Sequence, residues 1–320
     1  MTQDELMGSP QLMTAGDSIC CGELGNFALI LRKSSLEHRP QCMTTEPALN
    51  LSAPAPLARQ YGVLNWMGLR TLYIKEVKRF WKVAPQTVLA PIISNLLFMT
   101  VFVLAFAQTR GIGEGSATDD FVVFLAPGLV MLGILNNASA NSSSSIMTGK
   151  MMGSINDVLM TPLSYIELAL GYIGGAATRG AIVAVSTAIA LSIFFTPLLP
   201  VKLWAVLYFG ISAAVMLGMI GILSGVWAEK FDQLAVVNQF IILPLSYLSG
   251  TFYHIDILPP IFQKISLSNP LFYLIDGFRY GFLGESDGNV MIGVVLTAVI
   301  NLALFALVLI VLKKGWRIKS

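Results

Sequence analysis

The sequence is poor in charged residues. Only 12% of its 320 residues are Asp, Glu, Lys or Arg, whereas soluble domains have about 25%. Hydrophobic residues make up 55% of the chain, and the mean hydropathy is +0.72. Because so few charges would leave a water-soluble fold with a largely apolar surface, the composition predicts an integral membrane protein.

Residues that carry out acid–base and metal chemistry are also scarce. The chain has two histidines, His38 and His254, and three cysteines, whose spacing fits neither a zinc site nor a disulfide framework. No HExxH motif occurs, and no serine lies in a G-x-S-x-G motif with a plausible acid and base partner. We interpret His254 with Asp256 as an interfacial polar pair. The sequence therefore predicts no catalytic residue, no metal site and no enzyme activity.

A nucleotide-binding loop is missing as well. The Gly149-Lys150 pair lacks the earlier glycine and the following Ser or Thr of a P-loop. If transport is driven by ATP, ATP and Mg²⁺ bind a separate chain, and no cofactor is predicted on this one. The net charge of +2 gives no reason to expect a nucleic-acid partner.

Six apolar runs are long enough to cross the hydrocarbon core, which takes about 20 helical residues. None has Asp, Glu or Lys in its central part, so an ion-coupled carrier has no obvious proton carrier. Together the six runs predict an all-α membrane protein. They lie within Val83–Gln108, from Phe121 to about Asn141, within Ile166–Phe195, and at Leu203–Trp227, Gln233–Phe252 and Val290–Leu312.

Basic residues flank both ends of this set. Five precede the first run, and Lys313, Lys314, Arg317 and Lys319 follow the sixth. With an even number of spans, the positive-inside rule predicts that both termini are cytoplasmic. The link between the first two runs has more acidic than basic residues, which favours the outside. Its charged residues are Arg110, Glu114, Asp119 and Asp120.

The segment before the first run has the pattern of an amphipathic helix. Apolar residues recur at helical spacing from Leu69 to Trp81, and Lys75, Lys78, Arg79 and Lys82 share another face. We predict an N-terminal helix that lies in the headgroup region; the alternative is an ordinary surface helix of a soluble domain. Residues 1–61 are polar and rich in proline and alanine, and we predict a poorly ordered cytosolic extension, or a segment upstream of the true start. Residues 62–320 would then form the transmembrane domain.

Two short helices are predicted between the fifth and sixth runs. Pro259 and Pro260 suit the start of the first helix, and Asn269-Pro270 separates it from the second. At 1.5 Å per residue their lengths are roughly 13 and 18 Å, too short to cross the bilayer. We predict external re-entrant or interfacial helices in the outer leaflet, with Asp276 and Arg279 paired at i and i+3.

Polar residues in the second and third runs are candidates for a substrate pathway. The tract "LNNASANSSSS" either holds neighbouring helices together or lines the path. Arg179 either extends to the cytosolic interface or faces a polar cavity. The stretch "NDVLMTPLS" between these runs is either a short helix that docks on a soluble partner or a plain loop. The pathway candidates are Asn136, Asn137, Asn141 and Arg179.

From Gly62 onward the sequence resembles the membrane subunit of ABC-2 type transporters, the bacterial export permeases. The resemblance rests on "LSGTFYHIDILPP", "SNPLFYLIDGFRYGFLG", "APGLVM", "NNASAN" and "GYIGGAATRG". It implies an inner-membrane permease that works as a homodimer with two ATP-binding cassette subunits and surrounding lipids, and exports drugs, polysaccharides or lipid-linked molecules. The N-terminal helix would be the family's elbow helix.

The resemblance also implies roles for particular residues. The short cytosolic helix would couple the permease to the ATPase, and the external helices would form the outer gate. Two other functions stay open on the residues alone: a non-transport scaffold or assembly protein, and an ATP-independent channel or carrier. The coupling candidates are Ile155, Asp157, Val158 and Pro162; the gate candidates are Asp276, Gly277, Phe278, Arg279 and Gly281.

Overall fold

The computed structural model describes residues 65–110 and 117–315, with some side chains near 106–120 and at 159 excepted. The predicted extension at 1–61 and residues 111–116 of the charged link between the first two spans fall outside these descriptions. Every regular element in the described part is helical. The helices are α1 Trp66–Lys82, α2 Ala84–Arg110, α3 Ala117–Met151, α4 Ser154–Met160, α5 Tyr165–Phe194, α6 Leu203–Trp227, α7 Phe231–Val236, α8 Leu243–Leu248, α9 Pro260–Ser268, α10 Pro270–Leu283 and α11 Val290–Lys314.

Six helical stretches of the described chain are long and apolar enough to cross a membrane, which confirms the predicted all-α architecture with six spans. A π-helical turn at Val237–Ile242 joins α7 to α8, so these two helices form one span. Pro244 at the start of α8 has no N–H to donate, which accounts for the altered hydrogen bonding just before it. The six spans are Ala84–Ala105, Phe121–Met151, Tyr165–Phe194, Leu203–Trp227, Phe231–Leu248 and Val290–Lys314.

The second span, in α3, is the central helix of the bundle. In its most apolar stretch 83% of the residues are buried, against 11% in the first and sixth spans. It continues to Met151, so the predicted end near Asn141 was wrong. The polar tract did not end the helix because its side chains bond to their own backbone, as Ser143 Oγ does to the Ser139 carbonyl at 2.9 Å, and because neighbouring helices shield them from lipid.

Helix α1 packs against the first half of α5. Its buried residues Leu72, Glu76 and Phe80 lie four residues apart and form one stripe. Glycines of α5 make room for this stripe: a Cβ at Gly171 would overlap Leu72, and one at Gly175 would lie 2.8 Å from the Glu76 Cβ. The small residues of the third span therefore serve close packing, as their spacing suggested.

The two short helices predicted between the fifth and sixth spans are present as α9 and α10. Pro259 is the N-cap of α9 and Pro260 is its first residue. The break falls at Asn269, whose Oδ1 accepts a hydrogen bond from the Leu271 N–H at 3.1 Å. Helix α10 then packs against α3, α6 and α11, which makes it part of the apolar core rather than a loose connection.

Candidate transport pathway

The three asparagines predicted for the pathway lie along α3 but differ in their partners. Asn136 is half-buried, and its Nδ2 donates to the Leu132 carbonyl one turn earlier at 3.1 Å. Asn137 Nδ2 likewise donates to the Gly133 carbonyl at 3.0 Å, which leaves Asn137 Oδ1 free to accept from another helix. Asn141 is fully buried. Two of the three are therefore enclosed by protein.

Arg179 is the fifteenth of the 30 residues of α5 and is half-buried. One of its terminal nitrogens donates to Asn137 Oδ1 at 3.1 Å, so the guanidinium bonds to the central helix rather than extending to an end of α5. Its Nε is buried and has no hydrogen-bond partner among the described residues. The structure thus joins two of the predicted pathway residues, Arg179 and Asn137, across two spans.

A second polar cluster, which the sequence reasoning missed, joins α1 to α3. Glu76 is 2% exposed and accepts a hydrogen bond from Ser145 Oγ at 2.7 Å. Arg79 forms an ion pair with Glu76 at 3.2 Å and donates to the Asn141 carbonyl at 2.8 Å and to Ser144 Oγ at 3.2 Å. Arg79 was predicted to face the lipid headgroups with the lysines of α1; instead its guanidinium bonds to the second span.

A signal for this cluster was present in the sequence. Glu76 is the only acidic residue of α1, and it falls between Leu72 and Phe80 on the buried stripe. A carboxylate on an apolar stripe needs a buried partner. Its partner on α3, Ser145, is however 69 residues away, and no helical spacing identifies it.

Together the two clusters form a band rich in donors at the level of Asn137 and Asn141. Arg79 Nε, Asn141 Nδ2 and Arg179 Nε are buried and lack acceptors among the described residues. Such a band suits an anionic or oxygen-rich group if the helices separate, because its unsatisfied groups are donors.

The outer-gate candidates lie on α10, whose start is tied to the end of the fifth span. Asn269 Nδ2 donates to the Leu245 carbonyl at 2.8 Å and to Ser249 Oγ at 2.6 Å. Ser266 Oγ, at the end of α9, donates to the Leu248 carbonyl at 2.7 Å. These bonds hold the α9–α10 junction against the end of α8, the helix that precedes α9 in the chain.

Asp276 and Arg279 do not form the ion pair that their spacing predicted. Arg279 donates to the Gly250 carbonyl at 2.8 Å, and its guanidinium carbon lies 3.7 Å from the centroid of the Phe124 ring on α3. Asp276 accepts from the backbone N–H groups of Asp287 and Gly288, each at 3.0 Å. Arg279 therefore holds the loop after α8, and Asp276 holds the loop between α10 and α11, because backbone groups of both loops point toward α10.

Burial affects the pKa values of both residues. It raises the pKa of Asp276, while the two backbone N–H donors oppose the shift by stabilising the carboxylate. It lowers the pKa of Arg279 to about 10, so the guanidinium stays charged at neutral pH. A buried charge at this position is stabilised by the Phe124 ring and the Gly250 carbonyl.

The remaining gate candidates face α6. A Cβ at Gly277 would overlap the Phe209 ring, and one at Gly281 would overlap Val206. Phe278 is 3% exposed and belongs to the main apolar core. The two glycines thus permit close approach of α10 to α6, and their role in a gate stays a prediction.

The predicted pairing of His254 with Asp256 was wrong. Its Nδ1 lies 3.0 Å from Asp287 Oδ1, and its ring centroid is 3.9 Å from that of Phe124. Asp287 belongs to the loop that Asp276 holds, so folding of that loop, rather than the two-residue spacing to Asp256, decides the partner. The His254 ring and the Arg279 guanidinium both lie against Phe124.

The coupling candidates divide into buried and exposed positions. Ile155 is 6% exposed and packs in an apolar cluster with Leu72, Leu168 and Tyr172. Val158 is half-buried, whereas Asp157 and Pro162 are exposed. This stretch is therefore a short helix, α4, and not a plain loop. One face of α4 packs on the bundle and the other is exposed. Large apolar residues are exposed around it, at Met151, Met152 and Met160.

One carboxylate connects the start of α1 to the segment after α4. Glu167 is 2% exposed and completes a capping box at the start of α5, accepting from the Ser164 N–H at 2.8 Å. It also accepts from the Asn65 N–H. Asn65, the N-cap of α1, donates through Nδ2 to the Pro162 carbonyl at 3.4 Å. Sequence spacing predicts the capping box but not the bond to Asn65.

Comparison with known proteins agrees with this arrangement. Residues 67–283 match the family model described as ABC-2 type transporter. The chain is 36% identical over 225 residues to "Inner membrane transport permease YadH" of Escherichia coli (strain K12), covering 70% of this chain and 86% of the relative. It is 24% identical over 237 residues to "Nodulation protein J" of Rhizobium leguminosarum bv. viciae, covering 72% and 86%.

The family model covers more than half of the chain, and its match starts within α1 and ends at the last residue of α10. The first five membrane-spanning helices, the helix before them and the two short helices before the last span thus lie within one family pattern. The chain belongs to the family of ABC-2 type transporters, as its C-terminal motifs predicted, and is a multi-pass membrane permease.

Proposed function

We propose that this chain is the permease subunit of an ATP-driven exporter in the bacterial inner membrane. Two copies form the substrate pathway, and each binds a separate ATP-binding cassette subunit, which holds ATP and Mg²⁺. The chain itself is not an enzyme. The family match and the relative named as an inner membrane transport permease support this proposal.

The observation that carries the proposal is the construction of α4. Ile155 fixes the helix in the apolar cluster of the bundle, while Met152, Asp157 and Met160 are exposed beside it. Methionine side chains adapt to irregular surfaces and are frequent at binding interfaces. A helix that is anchored on one face and exposed on the other suits transfer of a push from a soluble partner into the bundle.

The same end of the bundle has the basic residues expected on the cytosolic side. Lys150 bonds the Ala228 carbonyl at the end of α6, and Lys313 and Lys314 end α11. We assign α4 and both termini to the cytoplasm on this basis. In α1, Trp66 and Trp81 are exposed, 72% and 65%, and suit an elbow helix in the headgroup region.

On this orientation α9 and α10 lie at the outer side, as re-entrant or interfacial helices. Arg279 connects α10 to Phe124 of α3 and to the loop after α8. Closure of the ATP-binding subunits would push α4 and, through it, α3; a shift of α3 would then disturb the Phe124 contact and release α10. The donor-rich band of α1, α3 and α5 lies between these two ends.

The test is stimulation of ATP hydrolysis by the permease. We would purify the chain with an ATP-binding cassette subunit and compare Met160→Gln with Met291→Gln. Both methionines are exposed, 86% and 70%, but Met291 is the second residue of α11 and lies at the opposite end of the bundle. We expect Met160→Gln to lower the stimulated rate several-fold and Met291→Gln to leave it unchanged.

Two results would contradict the proposal. If the wild-type pair hydrolyses ATP no faster than the soluble subunit alone and moves no compound in vesicles, the chain is a scaffold. If it moves a compound without the ATP-binding subunit, it is a channel or carrier. Substrates would be screened in the same vesicles with drugs, polysaccharides and lipid-linked molecules.

A further inference from the structure

Arg179 places a positive charge near the middle of a membrane span. It is the fifteenth of the 30 residues of the third span, about 21 Å along the helix from the nearer end. One terminal nitrogen donates to Asn137 Oδ1 at 3.1 Å, which holds the guanidinium at this depth. A charge in the hydrocarbon region is costly unless it faces protein or a polar space.

The bonds that Arg179 makes do not balance its charge. Its acceptor among the described residues is a neutral amide, and its Nε is buried without a partner there. Within the described chain, no carboxylate oxygen lies within 4.0 Å of this guanidinium. Glu76, the buried carboxylate of the neighbouring cluster, is already bonded to Arg79 and Ser145. The described part of the chain therefore leaves this positive charge without a counter-charge.

A second copy of the chain has no carboxylate to offer at this depth. Within the described residues of the six spans, acidic side chains occur at two positions, Glu167 and Asp232. Glu167 is the third residue of its span and Asp232 is the second, so both lie at the ends of spans. The counter-charge for Arg179 is therefore expected from a different molecule.

A half-exposed stripe of α3 gives access to this region. Asn136, Ala140 and Ser144 recur every four residues and are half-buried, whereas the residues between them are buried. Arg79 donates to Ser144 Oγ at 3.2 Å, and Arg179 bonds to the residue that follows Asn136. Small and polar side chains with two arginines beside them suit a polar space better than lipid chains.

Another unpartnered donor lies on the next turn of α3. Asn141 is fully buried, and its Nδ2 has no hydrogen-bond partner among the described residues. This nitrogen lies beside Gly175 of α5, where a Cβ would be 3.3 Å from it, and Gly175 is one turn before Arg179. The contact between α3 and α5 thus contains unsatisfied donors on successive turns, whose hydrogen bonds an oxygen-rich anion would accept.

We propose that Arg179 binds an anionic oxygen group, a phosphate or a carboxylate, of the exported molecule. A guanidinium matches both groups because it can donate two parallel hydrogen bonds to either. That the ligand is the exported molecule rests on the proposed function. Among drugs, polysaccharides and lipid-linked molecules, the substrate is then one that carries such a group.

The test uses the full-length chain in nanodiscs of phosphatidylcholine. Three photoreactive probes share one alkyl chain, with a diazirine next to the head group, and end in a phosphate, a carboxylate or a hydroxyl group. After illumination, mass spectrometry of the peptides locates the labels. We expect the two anionic probes to label the peptides around Asn137 and Arg179 several-fold more than the neutral probe does.

Variants separate binding from packing. Arg179→Gln keeps a donor for Asn137 but removes the charge, and should bring labelling by the anionic probes down to that of the neutral probe. Arg179→Lys keeps the charge and should retain part of the preference, whereas Arg70→Gln, at an exposed arginine of α1, should not change it. If Arg179 only holds α3 against α5, Arg179→Gln will change labelling by all three probes alike, which would refute the proposal.

Inorganic phosphate in excess distinguishes two sources of the anionic group. Competition with the probes would assign the group to a water-soluble molecule, and absence of competition would assign it to an amphiphile; both results agree with the proposal. Equal labelling of the wild-type chain by the three probes would overturn it, and this comparison holds even if Arg179→Gln does not fold.

Labelling requires neither ATP nor the ATP-binding subunit. A chain that stimulates ATP hydrolysis but shows no preference for anionic probes would overturn the role of Arg179 and leave the proposed function intact. A chain that shows the preference but neither stimulates ATP hydrolysis nor moves a compound would support the anion site and contradict the proposed function.

Discussion

At the scale of single residues, the buried charges of this permease bond to groups that their spacing along the helix does not indicate. Glu76 and Arg79 are three residues apart and do pair, yet their other partners lie on α3. Asp276 and Arg279 have the same spacing and do not pair. Spacing therefore shows which charges are near each other, whereas the folded surroundings decide which bonds form.

Replacing Glu76 by alanine should destabilise the protein. The change removes the acceptor of Ser145 Oγ and the ion-pair partner of Arg79, and an unpaired buried polar group costs about 1–3 kcal/mol. We expect a lower midpoint in thermal unfolding of the detergent-solubilised chain. Lys78→Ala, at an exposed position of the same helix, is the control, and an equal loss in both variants would contradict the role of Glu76.

Adding one methyl group at Gly277 should also destabilise the protein, by about 1–3 kcal/mol as for other overpacked sites, because a Cβ there overlaps the Phe209 ring. Gly210→Ala is the matched control, since a Cβ at that position would lie 3.4 Å from Phe278 in ordinary contact. Phe209→Leu should restore part of the loss in the Gly277→Ala background. If Gly277→Ala were as stable as Gly210→Ala, the close approach of α10 to α6 would be wrong.

At the scale of elements, the positions of the helices could be predicted better than their ends. The fourth span was predicted at Leu203–Trp227 and has these bounds, because a lysine and a charged loop flank a uniformly apolar run. The second span was predicted ten residues too short. Its polar tract is enclosed by other spans, and this enclosure depends on tertiary packing that a hydropathy pattern does not contain.

Breaking the connection between α1 and the segment after α4 should loosen the start of α1. In Glu167→Ala the Asn65 and Ser164 N–H groups lose their acceptor. We expect faster hydrogen–deuterium exchange in the first turns of α1 and α5, with little change in α11. Glu285→Ala, at an exposed position on the other end of the bundle, should leave exchange in α1 unchanged; equal exchange in both variants would contradict this connection.

At the scale of the whole molecule, the membrane class, the six spans and the family followed from composition, periodicity and the C-terminal motifs. Only part of the candidate site could be predicted from the sequence. Asn137 and Arg179 are bonded to each other, but the contribution of α1 to this region was not predicted, because it depends on contacts between residues more than 60 positions apart. The orientation across the membrane and the roles of α4 and α10 remain proposals.

The orientation can be measured directly by cysteine labelling. With the native cysteines replaced by serine, Asp157→Cys in α4 and Glu285→Cys after α10 provide one exposed probe at each end of the bundle. A membrane-impermeant maleimide should label the cysteine at 285 in intact spheroplasts and the cysteine at 157 only after the membrane is permeabilised. Labelling of the cysteine at 285 only after permeabilisation would contradict the orientation, and with it the coupling and gating roles proposed for the two ends.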